Sequence, residues 1–299
     1  MVNSEIGIII LNYFSAIDTI RLYKALKHYN SVNFSLLVID NSCDLHEEKL
    51  LKEGADEHNI IINSENTGYG TGNNIGIKKM LKNESIEFVV IANPDVDFAP
   101  SILEELKHQF QKSENIAAIG PRICFRDQPE KIYSDGGVIT KYNGVLYPKH
   151  QNSQKTINSA DLVYLDEPDY IHGAFIMLSR RAIMDVGFIP EHYFLYFEET
   201  DWCLSAKKKG WKMNIDTSTI VYQKPTNRQK VYHYYMARNH IFFNRKFNKG
   251  FNSVGLALHL LRKVLSNLKH FNLKIANAIL LGLFDGFFQR VNCKKQSST

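Results

Sequence analysis

Four short apolar runs, separated by segments of helical character, limit what this chain can fold into more than any other feature of its sequence. The runs are Ile6–Leu11, Leu36–Ile39, Ile60–Ile62 and Phe88–Ala92. Helical character follows the first run at Asp18–Tyr29, with Asp18 at the N-cap position, and returns after the third run as far as about Leu81. Buried strands that alternate with helices are typical of a parallel, doubly wound sheet. We therefore predict an α/β protein of this kind.

Polar residues follow every apolar run. They are Asn12 after the first, Asp40 and Asn41 after the second, Asn66 after the third, and Asp95 and Asp97 after the fourth. In an open α/β sheet the carboxyl ends of parallel strands lie at one edge, and ligands bind there. We expect these side chains to converge on one crevice, where Asp40 can accept a hydrogen bond from a pyrimidine N3–H or a ribose hydroxyl. For each residue alone, the alternative is a loop polar group or a helix cap.

The two carboxylates of Asn93-Pro94-Asp95-Val96-Asp97 stand two residues apart at the end of the fourth run. Carboxylate oxygens are hard ligands, which suit Mg²⁺ or Mn²⁺ holding a diphosphate. The alternative is a proline turn capped by aspartate, because Asn, Pro and Asp all favour turns.

The glycine-rich segment Gly68–Gly72 has the spacing G-x-G-x-G rather than G-x-G-x-x-G, and it follows the third run instead of the first. The loop after the first run, Asn12–Ser15, contains no glycine. These differences count against a nicotinamide-dependent oxidoreductase. Close backbone approach to a ligand and a plain flexible turn both stay open.

A second acidic cluster, Glu198-Glu199-Thr200-Asp201, follows the aromatic run Tyr193–Phe197 and precedes Trp202. Crowded carboxylates beside aromatic rings tend to have raised pKa values, which suits a general base. Trp202 and the tyrosines could stack on a sugar face. The alternative is an acidic helix start that favours the helix dipole, with the aromatic side chains in the core.

Residues 122–170 are polar and rich in turn signals, among them Asn143-Gly144, so we expect hairpins and loops that determine substrate specificity. A further strand is predicted at Ile171–Leu178, which carries Gly173-Ala174. With 44% hydrophobic residues among 299, the chain can bury the core of one large domain plus an appendage.

Cysteine usage and the N-terminus bear on the compartment. Cys43, Cys124, Cys203 and Cys293 lie far apart and form no CxxC pair, which fits a reducing cytosol better than a zinc site or a disulfide framework. The first residues include no basic segment before the apolar run and no cleavage signal, so we expect a cytoplasmic protein.

The last 63 residues, 237–299, carry eleven lysines and arginines against one acid, Asp285, although the whole chain has a net charge of only +5. Apolar residues recur there at alternating spacings of three and four, and they are Phe251, Val254, Leu258, Leu261, Leu265 and Leu268. Such a tail suits an anionic membrane surface, and its apolar stripe makes nucleic acid the poorer partner. A helical pair packed on the main domain and a homo-oligomer contact are the alternatives. Ile275–Phe288 is too short and too interrupted to span a bilayer.

Several of these segments together resemble glycosyltransferase family 2, in particular the rhamnosyltransferase-like branch of bacterial surface-polysaccharide enzymes. They occur in the family's order, over about residues 5–245, as Asp40-Asn41-Ser42, Asn66-x-Gly68-Tyr69-Gly70-x-Gly72-Asn73-Asn74, Asn93-Pro94-Asp95, Gly173-Ala174-Phe175, and Gly187-Phe188 followed by Phe194–Cys203. The resemblance implies a GT-A fold, a Rossmann-like, mostly parallel sheet with a C-terminal helical appendage. We assign residues 1–236 to the catalytic domain and 237–299 to the basic tail.

The resemblance also implies roles for individual residues. Donor binding is assigned to Asn12, Asp40, Asn66, Gly68, Asn74, Asp95 and Arg238. Acceptor binding is assigned to Gly173, Ala174, Tyr196, Glu198 and Trp202. Asp95 and Asp97 would hold Mn²⁺ or Mg²⁺, and Glu199 would be the base, with Asp201 as second choice.

Three features depart from the family pattern, and the first is Asp40-Asn41-Ser42, which is one residue tighter than the family's usual D-N-x-S. The acidic motif usually reads Glu-Asp-x-Asp with the second residue as base, and Glu199 replaces that aspartate here. Gln223 stands where many relatives have a histidine after the following strand.

From the resemblance as a whole, we expect an inverting transferase that uses dTDP-rhamnose or a UDP-hexose as donor. We expect its acceptor to be a lipid-linked glycan at the inner face of the plasma membrane. The alternative is a catalytically decayed binding protein for nucleotide sugars or polysaccharides.

Overall fold

The computed structural model of the protein describes residues 5–29, 32–163, 167–225 and 230–289. Cys293 and three basic residues of the tail, Arg290, Lys294 and Lys295, lie outside these ranges. The strands are β1 (Ile6–Asn12), β2 (Phe34–Asp40), β3 (Ile60–Ile62), β4 (Phe88–Ala92), β5 (Val96–Asp97), β6 (Ile116–Phe125), β7 (Ile132–Ser134), β8 (Gly137–Tyr142), β9 (Val145–His150), β10 (Phe175–Ser179) and β11 (Lys212–Gln223). The helices are α1 (Ala16–Lys27), α2 (Leu45–Gly54), α3 (Gly68–Met80), α4 (Ile102–Phe110), α5 (Arg180–Val186), α6 (Glu198–Lys208), α7 (Lys230–Phe247), α8 (Ser253–Lys269) and α9 (Leu273–Phe288).

One large sheet, with the strand order β3-β2-β1-β4-β10-β6-β11-β5, forms the centre of the protein, and β7 pairs with β6 at its side. The four apolar runs of the sequence are β1 to β4, and they pair in parallel as predicted. Strands β2 and β3 are added on one side of β1 and β4 on the other, so the strand order reverses at β1. The crevice outside the carboxyl ends of these strands is where such sheets bind ligands.

Alternating side chains of the central strands build a core on each face of the sheet. Ile8 and Ile10 face a cluster completed by α1, α2 and α4, whereas Ile9 faces one completed by α3, α5 and α6. This alternation follows from the two-residue period of a strand. The result is a layer of helices on each side of the sheet, which holds the strand ends in fixed positions.

The structure corrects four details of the sequence prediction. The strand predicted at 171–178 begins only at Phe175, and it is antiparallel to both neighbours, β4 and β6. The glycine-rich segment is the first turn of α3 rather than a loop before it. Asp18 lies inside α1, whose N-cap is Ser15. Residues 122–125, predicted as loop, end the buried strand β6.

The C-terminal helices join the hairpin β8–β9, which turns at Asn143-Gly144 as predicted, in a cluster of their own. Val145 of the hairpin packs there with Ile241 of α7 and Leu256 and Leu260 of α8. The predicted domain boundary at 236/237 falls within α7, so the helical appendage is continuous with the helix that leads into it.

Candidate active site

The ends of β1 and β2 place Asn12 and Asp40 side by side, because these two residues are register partners. The Asn12 amide donates to Oδ1 of Asp40 at 2.8 Å, and both side chains are fully buried. The other carboxylate oxygen of Asp40, Oδ2, is buried and accepts no hydrogen bond from the described residues. A buried oxygen without a partner is costly and calls for an explanation, and a ligand N–H or O–H would satisfy it.

The glycines of α3 allow close approach to neighbouring backbone. Gly68 has a φ of +80°, and a Cβ there would lie 2.5 Å from the Phe194 carbonyl oxygen. A Cβ at Gly70 would lie equally close to the Pro190 carbonyl oxygen. The Asn66 side chain accepts from the Gly68 N–H at 3.0 Å and so fixes the entry to the helix. Gly68 and Asn66 thus hold α3 against the aromatic segment at this edge of the site.

Asn74, predicted to bind the donor, is instead a structural link. Its amide nitrogen donates to the Ile189 carbonyl at 2.8 Å and to Glu191 at 2.9 Å, and its oxygen accepts from the Ile189 N–H at 3.0 Å. The side chain is fully buried. Since its amide holds this loop, we do not retain a donor contact for Asn74.

Asp95 and Asp97 differ in their surroundings. The Asp97 carboxylate contacts Arg21, and its Oδ2 lies 2.6 Å from Nε of Arg126, an ion pair whose N–H is not aligned as a hydrogen bond. Asp95 makes no salt bridge to the described residues, and burial raises the pKa of Asp95 despite the nearby Arg126 guanidinium. A carboxylate that is desolvated and lacks a paired cation fits a divalent metal ligand, whereas Asp97 already has two cationic partners.

No cluster of three or more His, Cys, Asp or Glu side chains among the described residues is arranged to hold a metal ion. Magnesium-type sites are commonly built from one or two carboxylates together with substrate phosphates. Asp95 fits that kind of site. The hydrogen bond from the Asn93 N–H to the Ala174 carbonyl at 2.9 Å fixes the turn that carries it.

The aromatic segment before α6 has an unusual backbone. Phe194, Tyr196 and Phe197 all have positive φ values, between 66° and 80°, which is strained for bulky residues. Asn239 of α7 holds this segment, because its amide lies within hydrogen-bond distance of three of the segment's carbonyl oxygens. The acceptors are those of Leu195 at 2.7 Å, Tyr196 at 3.0 Å and Tyr193 at 3.1 Å. The sequence assigned no role to Asn239, although Tyr235, Arg238 and Asn239 together resemble a Tyr…Arg-Asn segment of the family.

Arg238 belongs to the same clamp. Its guanidinium donates to the Tyr193 carbonyl and to the Asn239 side chain, and it packs over the Tyr235 ring at 4.6 Å. The side chain is buried. The structure therefore places Arg238 beneath the aromatic segment, and the predicted contact with a diphosphate is not retained.

Glu199 lies where the segment enters α6, beside Gly173 and Tyr69. A Cβ at position 173 would lie 3.5 Å from the Glu199 carboxyl carbon, and the Tyr69 hydroxyl donates to the Gly173 carbonyl at 2.6 Å. Burial raises the pKa of Glu199 to about 7. A carboxylate that titrates near neutrality is well suited to general base catalysis.

Glu198, the neighbour of Glu199, is fully buried, and its Oε1 has no hydrogen-bond partner in the described part of the chain. Burial, followed by the charge of Glu199, raises the pKa of Glu198 well above its ordinary value. Two carboxyl groups whose environments separate their pKa values are a frequent arrangement in active sites. Here it leaves Glu199 as the member that ionises more readily.

Asp201, the second candidate for the base, has both oxygens engaged. Oδ2 accepts from the Tyr193 hydroxyl at 2.8 Å, and Oδ1 accepts from Lys246 at 2.6 Å and from Ser205 at 3.2 Å. The side chain is fully buried. We therefore assign Asp201 to the connection between α6 and α7 rather than to proton transfer.

This assignment predicts a stability effect. Asp201→Asn removes the charge that pairs with Lys246 and is expected to lower the free energy of unfolding by about 1.5–3 kcal/mol, the range for hydrogen bonds to charged groups. Turnover per folded molecule should change little. Denaturant unfolding measures the first quantity, and Asp161→Asn, at an exposed aspartate, is the matched control. Wild-type stability combined with lost turnover would return the base to Asp201.

The predicted acceptor residues separate by exposure. Gly173 and Tyr196 are partly accessible, whereas Ala174 and Trp202 are buried. The Trp202 indole donates to the Gly187 carbonyl at 2.8 Å within the core, so it cannot stack on a sugar without leaving that position. Exposed aromatic rings at this edge come instead from Tyr13 and Phe14 after β1, whose centroids are 4.9 Å apart.

The end of β11, where the family pattern of the sequence analysis often has a histidine, carries Gln223 followed by Lys224, whose ammonium group pairs with Asp18 at 2.6 Å. A different histidine, His172, lies next to Gly173. Burial lowers the pKa of His172 well below its ordinary value, so the ring is neutral, and its Nδ1 accepts from the Ala174 N–H at 3.1 Å. Sequence reasoning missed His172 because nothing in its local pattern distinguishes it.

Comparison with solved structures identifies the architecture. The mannosyltransferase PcManGT from Pyrobaculum calidifontis, solved with GDP-Man and Mn²⁺, superposes with a TM-score of 0.60 over 96% of this chain and 88% of that one, at 10% identity. GalNAc-T7, solved with UDP, GalNAc and Mn²⁺, gives a TM-score of 0.56 over 79% and 48% of the two chains, at 13% identity. The fold is GT-A.

Sequence comparison finds glycosyltransferases as well. The low-salt glycan biosynthesis hexosyltransferase Agl10 of Haloferax volcanii is 27% identical over 221 residues, 73% of this chain and 66% of that protein. The N-acetylglucosaminyl-diphospho-decaprenol L-rhamnosyltransferase of Mycobacterium tuberculosis is 24% identical over 183 residues, 55% of this chain and 58% of that protein. The chain therefore spans less than two thirds of these relatives' lengths. No protein-family model matches the chain.

Proposed function

We propose that this protein is an inverting glycosyltransferase of the family 2 type, which moves a sugar from a nucleotide-diphosphate donor to a hydroxyl of a glycan. The observation that carries the proposal is Glu199, a carboxylate whose pKa burial raises to about 7, at the same sheet edge as the open oxygen of Asp40 and the uncompensated carboxylate of Asp95. These three groups supply a base, a nucleoside contact and a phosphate-side ligand. The hexosyl- and rhamnosyltransferases among its relatives support this class of reaction.

The donor would lie across the ends of β1, β2 and β4. Asp40 would accept the base N–H or ribose O–H with its free oxygen, and Asn12 would hold the Asp40 carboxylate in place through the 2.8 Å hydrogen bond. Asp95 would hold Mn²⁺ or Mg²⁺, which when bound stabilises the growing negative charge of the leaving diphosphate. Asp97 keeps Arg126 beside this site. We favour dTDP-rhamnose or a UDP-hexose as the donor.

The reaction itself needs little from the chain beyond position and proton transfer. Glu199 would remove the proton of the acceptor hydroxyl, whose oxygen then attacks the anomeric carbon as the bond to the diphosphate breaks on the opposite side. Asn239 and Arg238 would hold the strained segment before α6, so that the base stays in place between Tyr69 and Gly173. Fixing reacting groups in this way lowers the entropic part of the barrier.

The acceptor we propose is a lipid-linked glycan at the cytoplasmic face of the membrane. The name of the mycobacterial relative includes a diphospho-decaprenol acceptor, and the tail of this chain is basic. A protein that only binds nucleotide sugars is the rival. The features that favour this rival are Glu199 and Gln223, where the sequence departs from the family pattern.

Incubation of the protein with UDP-, dTDP- and GDP-sugars plus Mn²⁺, followed by assay for released nucleoside diphosphate, tests the proposal. Metal-dependent release with one donor is expected, and an added glycan-lipid acceptor should increase it. Binding of a donor without release under any condition would favour the rival. Neither binding nor release with the whole set would end the enzyme proposal.

Donor recognition gives a further prediction. Asp40→Asn keeps the size of the side chain but removes its negative charge, and its amide can place an N–H donor where the free acceptor oxygen was. Nucleotide affinity should therefore fall about 10- to 100-fold. Titration calorimetry with the nucleoside diphosphate measures this, with the exposed Asp127→Asn as control. Unchanged affinity would remove Asp40 from the nucleotide site.

A further inference from the structure

Helix α8 has two apolar faces, and the fold uses only one of them. Leu256, Leu260 and Val264 are buried against α7, α9 and the hairpin β8–β9. Five of the six residues of the predicted stripe lie on another side of the helix and are exposed, with Leu265 at 65% accessibility. The sixth, Phe251, precedes the helix and is partly buried against the packed cluster. The five exposed residues are Val254, Leu258, Leu261, Leu265 and Leu268. Packing of the domain therefore does not explain this second face.

Helix α9 repeats the arrangement. Ala276 and Ile279 are buried with α7, and Gly282 sits against the Tyr234 carbonyl, which allows the two helices to approach closely. Its other side carries exposed apolar residues, namely Leu273, Leu280, Leu281, Phe284 and Phe288. Rows of exposed apolar side chains of this extent mark interaction surfaces in soluble domains.

The turn between the two helices presents Phe271. Its ring is 88% exposed, and its φ of +57° lies in the left-handed region, which is strained for a phenylalanine. Neither burial nor backbone preference favours this residue at this position. A phenylalanine that costs stability and contributes no packing is best explained by a binding partner.

The same two helices carry exposed positive charge at Arg262, Lys269 and Lys274. On a helix with 100° per residue, Arg262 and Lys269 fall at one border of the exposed apolar side of α8. From residue 237 to the end of the chain, Asp285 is the only acid, and it accepts from the Tyr234 hydroxyl. A surface that is apolar with a basic border matches the anionic headgroups and acyl chains of a bilayer.

We propose that these eleven exposed apolar residues of α8, Phe271 and α9, which we call the docking face, bind the surface of an anionic lipid bilayer. A second copy of the chain fits less well, because a symmetric contact would bring like charges together without acids to pair with them. No helix among the described residues is long and apolar enough to cross a membrane. The helices would therefore lie along the surface.

The docking face is connected to the site through packed helices. Helix α9 rests on α7, and α7 carries Asn239, which holds the segment before Glu199. A membrane under the docking face would thus be fixed in orientation relative to the base. That it presents the acceptor to Glu199 rests on the proposed function, whereas the binding of lipid does not.

Flotation of the full chain with vesicles tests the proposal. Vesicles of phosphatidylcholine containing phosphatidylglycerol should carry the protein, and pure phosphatidylcholine should carry much less. The triple variant Leu265→Ser, Phe271→Ser and Phe284→Ser should lose most of this binding. The matched control changes three exposed apolar residues elsewhere, Tyr142→Ser, Val163→Ser and Met184→Ser, and should bind like wild type.

The charged border has its own test. Each of Arg262→Gln, Lys269→Gln and Lys274→Gln should weaken binding to the anionic vesicles about fivefold, from about 1 kcal/mol per charge, and should not affect neutral vesicles. Wild-type flotation of the triple serine variant, or equal loss in its control, would overturn the docking face. The docking face would also be overturned if the wild-type protein sediments as a dimer and the serine variant as a monomer that still binds lipid.

Donor turnover without acceptor, measured on the same preparations, separates the two proposals. The serine variant should keep wild-type nucleotide binding and release, because its substitutions lie outside the site. If the wild-type protein floats but releases no nucleoside diphosphate, the docking face stands and the proposed function fails. If the wild-type protein releases nucleoside diphosphate but does not float, the proposed function stands and the docking face fails.

Discussion

Replacement of Glu199 by glutamine is expected to lower the rate of glycosyl transfer by about 10²- to 10⁴-fold, the usual contribution of a general base. Glutamine is nearly the same size but cannot accept the acceptor's proton at neutral pH. The proposed nucleotide contacts are Asp40 at the end of β2 and Asp95 in the turn between β4 and β5, whereas Glu199 lies on α6, so donor affinity should stay close to that of wild type. Single-turnover transfer and donor titration on the same protein measure the two quantities.

The pH dependence of transfer by the wild-type protein tests the role of Glu199 independently. Burial raises the pKa of Glu199 to about 7, and only the deprotonated form can act as base. The transfer rate should therefore increase as pH rises through about 7 and level off above it. Glu105→Gln, at an exposed glutamate on α4, controls for the loss of a charge. Full transfer by Glu199→Gln would show that another group removes the proton.

Replacement of Asp95 is expected to have the second large effect. Asp95→Asn should reduce metal-dependent binding of the nucleoside diphosphate by at least about 100-fold, because asparagine removes the charge that pairs with the cation. Chelation of the metal should reduce binding by the wild-type protein to a similar level, and should have little further effect on the variant. Calorimetry with and without Mn²⁺ measures all four combinations.

Asp97→Asn is the informative comparison for Asp95. Asp97 is paired with Arg21 and Arg126, so its loss should disturb these arginines and weaken binding less, with most of the metal dependence retained. Equal loss of metal dependence in both variants would restore the two-carboxylate ligand pair that the sequence suggests. Retained metal dependence in Asp95→Asn would move the cation elsewhere.

The parallel half of the sheet follows from the sequence because its strands are continuous apolar runs, and those of β1, β2 and β4 are largely buried on both faces. The sequence predicts the strand that became β10 but not its antiparallel direction, since a short apolar run gives no direction. The long strand β6 does not follow either, since it includes polar Arg122, which pairs with Asp135 in the interior. That partner is 13 residues away, and a local pattern does not reveal it. Direction and pairing come from tertiary contacts.

The candidate site shows the same division. Asn12, Asp40 and Asp95 could be placed at one edge because a strand end has a definite location in a parallel sheet. Asn74 and Trp202 stand in equally conspicuous motifs, yet they hold the loop at 187–191 from two sides. A motif identifies residues that matter together, but it does not separate those that touch a ligand from those that fix the surrounding backbone.

The shared packing of the C-terminal helices has a practical consequence for anyone who shortens this chain. Leu256, Leu260 and Val264 cover Val145 of the hairpin β8–β9 and Ile241 of α7, so cutting the chain after α7 would expose that apolar patch to solvent. The same helix α7 carries Asn239. A truncated protein that precipitates or loses activity would therefore report a damaged core, and substitutions of exposed residues are the proper way to separate membrane attachment from catalysis.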